Sequence, residues 1–130
     1  MVTQVLARRS LAVLLLLALA SVAGAAWARL PGTQEATRHE LTLKAKKYQF
    51  SQTRIEVAQG DVIKITLVAE DIPHSFVIDA PYRIAKRVTP GKPVTFEFRA
   101  DQVGTFPFYC NLTADAGCKD MRGQLVVVVR

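Results

Sequence analysis

Four turn signals break up the chain after His39: Gln59-Gly60-Asp61, Asp71-Ile72-Pro73, Thr89-Pro90-Gly91-Lys92 and Gln102-Val103-Gly104. The runs between them are short and alternate apolar with polar residues. Leu41, Leu43 and Ala45 set the pattern, and residues 54–57, 62–69, 75–78, 94–99, 105–110 and 124–129 continue it. Helical periodicity is almost absent. Such strands each offer one apolar face, so they predict an all-β domain, an antiparallel Greek-key β-sandwich with its core between two sheets packed roughly 10 Å apart.

The N-terminus follows a different rule. Arg8 and Arg9 precede an uncharged run over residues 11–28, and Ala23-Gly24-Ala25 and Ala26-Trp27-Ala28 both fit a signal-peptidase site. Residues 1–28 therefore read as a signal peptide or an uncleaved N-terminal anchor, residues 29–38 as a linker, and residues 39–130 as the folded domain. Either reading exports the domain, placing it in the periplasm. Cleavage after Ala28 would remove Trp27, the sole tryptophan, and leave 15 Lys and Arg against 11 Asp and Glu, a net charge of +4. The basic clusters Lys44, Lys46, Lys47 and Arg83, Lys86, Arg87 lack interleaved aromatics, so no nucleic-acid partner is expected.

The domain is poor in catalytic chemistry. It has two histidines, two serines, scattered rather than paired carboxylates and no phosphate-cradling glycine loop, so no enzyme activity is expected. His39, at the start of an edge strand, reads as exposed and without a role. What remains is His74, Cys110, Cys118 and Met121, the imidazole, thiolate and thioether types that soft and borderline transition metals select. Three of them share one loop, and His74 follows Pro73 at the mouth of a strand. Each also has an ordinary alternative: a satisfied strand-end histidine, a core methionine, or two cysteines oxidised to a disulfide in an exported protein.

From about Ile55 to Arg130 the chain resembles the cupredoxin family, and more narrowly the copper-binding domain of cytochrome c oxidase subunit II. Asp71-Ile72-Pro73-His74-Ser75-Phe76 is similar to that family's histidine-serine-aromatic ligand strand. Thr89-Pro90-Gly91-Lys92 matches its proline-glycine turn, and Val103-Gly104-Thr105-Phe106 with Phe108-Tyr109-Cys110 its approach to the ligand loop. The family's dinuclear copper loop has the pattern C-x3-C-x3-H-x2-M. Cys110-x3-Ala114-x3-Cys118-x2-Met121 keeps that frame, with Ala114 in place of the second bridging cysteine and Cys118 in place of the histidine.

Those two departures argue against a dinuclear centre, and a blue copper site wants a second histidine that the loop lacks. The resemblance implies instead one copper ion held by His74, Cys110, Cys118 and Met121, a set whose softness favours Cu(I), with Asp115 a weaker candidate. The implied function is electron transfer or copper delivery, with a redox or copper-accepting protein as partner and membrane contact only through an uncleaved N-terminus. The competing reading is a metal-free interaction module stapled by Cys110–Cys118. The two exclude one another, because the thiolate is the metal-binding form.

Overall fold

A computed structural model describes residues 34–130; the expected export segment and residues 29–33 of the expected linker lie outside the described residues. The described strands are β1 (Arg38–Lys46), β2 (Gln49–Phe50), β3 (Arg54–Ala58), β4 (Val62–Ala69), β5 (His74–Ile78), β6 (Ile84–Val88), β7 (Val94–Arg99), β8 (Gly104–Tyr109) and β9 (Arg122–Val128), with a 3-10 helix at Ala116–Asp120.

Alternation dictates which faces close. On β4, Ile63, Ile65 and Leu67 are fully buried while Lys64 and Thr66 between them point outward. β-Branched side chains are stiff and pack well on a pleated surface, which suits this strand to the centre of a half-buried sheet. β3 repeats the pattern with Ile55 and Val57, and β9 with Leu125 and Val127.

Two sheets result, ordered β2-β1-β4-β7 and β3-β9-β8-β5-β6. The sandwich is as expected, but the sheets are mixed rather than purely antiparallel. β1 runs parallel to β4 from Arg38 opposite Val62 to Ala45 opposite Ala69, and β3 runs parallel to β9. Tight turns join only antiparallel neighbours; here the chain leaves β1, enters the other sheet as β3 and returns as β4, which makes a parallel pair possible. Two strands were not expected. β2 has only two residues, and β6 carries exposed Lys86 and Arg87 at the edge of its sheet, where charge guards against further pairing.

Between the sheets Phe108 meets Phe76 at 5.0 Å and Phe50 at 5.3 Å, ring centre to ring centre. Phe108 lies opposite Gly123 in the β8–β9 register, and a Cβ at Gly123 would run into its ring. Glycine is required there by a close approach of side chain to backbone.

One end of the sandwich is tied by Asp61, which is 2% exposed. Its carboxylate accepts from the backbone N–H groups of Thr37 (2.9 Å) and Ala58 (3.0 Å), from Nε2 of His39 (2.7 Å) and from the Arg130 guanidinium. His39, expected to be exposed and without a role, is instead part of the fastening. A buried carboxylate needs such partners, and the register of β1 against β4 brings His39 to it.

Candidate metal centre

The opposite end holds all four candidate residues. His74 opens β5 and alternates with Phe76 and Ile78 on the inward face; it is 1% exposed. Cys110 follows the last residue of β8, Cys118 sits on the 3-10 helix, and Met121 joins that helix to β9. Cys110 N–H donates to the Met121 carbonyl at 3.2 Å and Met121 N–H to the Cys118 carbonyl at 3.0 Å, so the loop closes on itself. All three sulfurs lie in the core cluster.

Cys110 and Cys118 are joined as a disulfide, with their Cα atoms 5.3 Å apart. The expected pair of free thiolates is thus replaced by its competitor, because the loop brings two cysteines eight residues apart to bridging distance. Among the described residues, no three His, Cys, Asp or Glu side chains form a ready-made cation cluster.

The surroundings of the bridge are nonetheless unusual for an inert staple. Backbone N–H groups point at both sulfurs, that of Ser75 at Cys110 Sγ (3.4 Å) and that of Leu112 at Cys118 Sγ (3.2 Å). The Ser75 hydroxyl also lies 3.6 Å from Cys110 Sγ, but its single proton is better placed on Asn111 Oδ1 at 2.8 Å. A disulfide sulfur is a weak acceptor, whereas a thiolate gains from every donor that faces it.

The imidazole of His74 is fixed from outside. Its Nε2 meets Asp71 Oδ1 at 2.7 Å, and Asp71 is held in turn by the N–H groups of Ile72 and Lys47, each at 2.7 Å. Partial burial works against the Asp71 charge, but these donors and the neighbouring imidazole outweigh it and hold the carboxyl down to about 2. An ionised Asp71 accepts, so Nε2 carries a proton, and in the neutral ring the free lone pair is then on Nδ1. That Nδ1 is buried and has no hydrogen-bond partner among the described residues. Such a vacancy costs about 1–3 kcal/mol and calls for an explanation.

Asp115, the weaker ligand candidate, is otherwise engaged. Its Oδ1 caps the 3-10 helix by accepting from Gly117 N–H at 3.0 Å, and its carboxylate beside the Tyr48 hydroxyl raises the Tyr48 pKa. Ala114 lines a surface groove of about 330 Å³ together with Ile72, Pro73, Leu112, Asp115 and Arg87. Asp71 and Tyr48 had no place in the ligand set read from the sequence. The i, i+3 spacing of Asp71 and His74 was a usable signal for the first; none existed for the second.

Comparison with known proteins agrees with this architecture. Cytochrome c oxidase subunit 2 of Thermostichus vulcanus is 32% identical over 73 residues, 56% of this chain but 22% of that protein, so the chain spans about a fifth of its relative. The periplasmic domain of subunit II of cytochrome oxidase from Bradyrhizobium japonicum superposes with a TM-score of 0.62 at 16% identity, covering 70% of this chain and 84% of that one. A crystal structure of a mixed disulfide between a thioredoxin-like protein and subunit II of cytochrome c oxidase matches with a TM-score of 0.59 at 17% identity, over 70% and 82% of the two chains. The cupredoxin-like domain family matches residues 11–127, nearly the whole sequence, and the chain belongs to that family.

Proposed function

We propose that this is an exported copper-binding cupredoxin whose two loop cysteines pass between a disulfide and a dithiol, the reduced form holding one copper ion through His74, Cys110, Cys118 and Met121. The observation that carries this reading is the buried His74 Nδ1, an atom with no hydrogen-bond partner among the described residues, at the same sandwich end as the sulfurs. The donor set fits copper only when the disulfide is opened. One imidazole, two thiolates and a thioether then make a soft shell that favours Cu(I). Bound copper would supply a one-electron couple for electron transfer or a cargo for delivery, and the sulfur-rich shell favours delivery.

Opening the bridge takes two electrons and two protons. A dithiol partner attacks one sulfur, forms a mixed disulfide and departs as its own disulfide, leaving Cys110 and Cys118 as two thiols. The similar oxidase domain captured in a mixed disulfide with a thioredoxin-like protein supports a partner of that class. Export is supported by the uncharged segment behind Arg8 and Arg9, and by the periplasmic location of a similar domain.

The test is copper content and free-thiol count in one sample, before and after reduction. The expected result is no copper on the oxidised protein and about one ion per chain, lost on reoxidation, after reduction. A fully reduced, folded protein that takes up no Cu(I) would sink the proposal. It would leave the second reading, a metal-free module stapled by Cys110–Cys118, which the bridge itself favours.

A further inference from the structure

The β1–β2 hairpin reaches both halves of the candidate site. Its strands pair Ala45 with Phe50 and Lys46 with Gln49, leaving Lys47 and Tyr48 at the tip. Lys47 N–H donates to Asp71 Oδ2 at 2.7 Å, and the other oxygen of Asp71 holds the His74 ring. Tyr48 turns the other way. Its ring lies against Gly117, where any Cβ would collide with it, and its hydroxyl faces the Asp115 carboxylate. Asp115 and Gly117 belong to the turn that carries Cys118, whose N–H donates to the Asp115 carbonyl at 3.2 Å.

Oxidised, Cys118 is tied covalently to Cys110 at the end of β8, and any further restraint on it is redundant. Reduced, it depends on the residues 111–120 keeping their shape, and the contacts made by Tyr48 become the outer support of that turn. Tyr48 is 42% exposed, so its ring is held there by its contact with Gly117 rather than by deep burial.

We propose that the hairpin tip is a clamp that keeps the Cys118 turn in place beside His74 once the disulfide opens, with Tyr48 a positioning residue for the site. Its link to copper rests on the proposed function; the clamp itself does not. Tyr48 touches no ligand atom. It acts through Gly117 and Asp115 on Cys118, while Lys47 acts through Asp71 on His74, so one two-residue turn sets the spacing between nitrogen and sulfur.

The experiment uses the full chain as unaltered protein, Tyr48→Ala and Tyr48→Phe. In the reduced, copper-free state, alkylation of each cysteine by iodoacetamide is followed by mass spectrometry. Loss of the ring contact should speed alkylation of Cys118 about tenfold in Tyr48→Ala with Cys110 unchanged, whereas Tyr48→Phe keeps the ring and should behave as the unaltered protein. General destabilisation would instead speed both cysteines together, and that result, like no change at Cys118 in Tyr48→Ala, overturns the clamp. In parallel, competition with a chromophoric Cu(I) chelator should show about tenfold weaker binding by Tyr48→Ala. Equal affinity would break the link between clamp and copper. Absence of Cu(I) binding by the unaltered protein would overturn the copper reading alone, the alkylation ratio still deciding the clamp.

Discussion

Asp71 Oδ1 stands 2.7 Å from Nε2 of His74, and that contact leaves Nδ1 buried, without a hydrogen-bond partner among the described residues. The carboxylate decides which nitrogen holds the proton and fixes the ring about its own axis. Asp71→Asn keeps the shape but loses the charge, and its amide can present either a donor or an acceptor to the ring. Cu(I) affinity of the reduced protein should fall by about 10-fold or more, as for other residues that orient metal-bound histidines. Nitrogen-15 NMR of the metal-free protein should show a mixed tautomer in place of a single one. An unchanged tautomer and affinity would remove Asp71 from the site.

The same carboxyl predicts an acid limb in the stability of the oxidised, metal-free protein. Its pKa is about 2 in the fold against an ordinary 3.8. The folded state thus prefers the ionised form, and the contribution is complete above about pH 5 and is lost as pH falls through about 2. His74 and Tyr48 face Asp71 as well; of these His74 supports the charge, whereas the Tyr48 hydroxyl is neutral throughout this window. With solvent screening the loss is on the order of 1 kcal/mol. Urea midpoints across this window should fall less in Asp71→Asn than in the unaltered protein.

Gly123→Ala places a methyl group where the Phe108 ring already lies. Phe108 is fully buried and packed on Phe50 and Phe76, so it cannot swing aside without disturbing the core. Overpacking of this kind costs about 1–3 kcal/mol. Chemical denaturation should show the loss, and a compensating Phe108→Leu in the same chain should recover part of it.

Asp61→Ala tests whether the far end of the sandwich is independent of the site. Removing the carboxylate strands the Thr37 and Ala58 N–H groups, His39 and Arg130 at once. The expected destabilisation is about 3–5 kcal/mol, the range for breaking a buried ion pair by deleting one partner. At temperatures where the variant stays folded, copper stoichiometry after reduction should equal that of the unaltered protein. A changed stoichiometry would mean that the two ends are coupled.

Local patterns carried much of the fold because strand alternation and turn chemistry act over a few residues. Leu43, Ile65 and Leu67 declared their buried face by spacing, and Gly60 and Gly91 mark turns with positive φ, where side chains are strained. β6 escaped notice because its middle residues, Ala85, Lys86 and Arg87, all face solvent, and its strand character comes from pairing with β5. The parallel pairs of β1 with β4 and β3 with β9 escaped for a related reason: no short-range rule encodes a partner that lies across a sheet change.

At the site, the order and spacing of His74, Cys110, Cys118 and Met121 were set by the amino-acid sequence alone, as were their chemical types and the departures at Ala114 and Cys118. Tertiary structure decided the rest. It joined the two sulfurs, placed Asp71 behind the imidazole, left Nδ1 without a partner among the described residues, and laid Tyr48 across the turn that carries Cys118. The physical reason is range. A residue's donor atoms belong to its own covalent structure, but burial, hydrogen-bond partners and oxidation depend on atoms brought close only when two sheets close over one core.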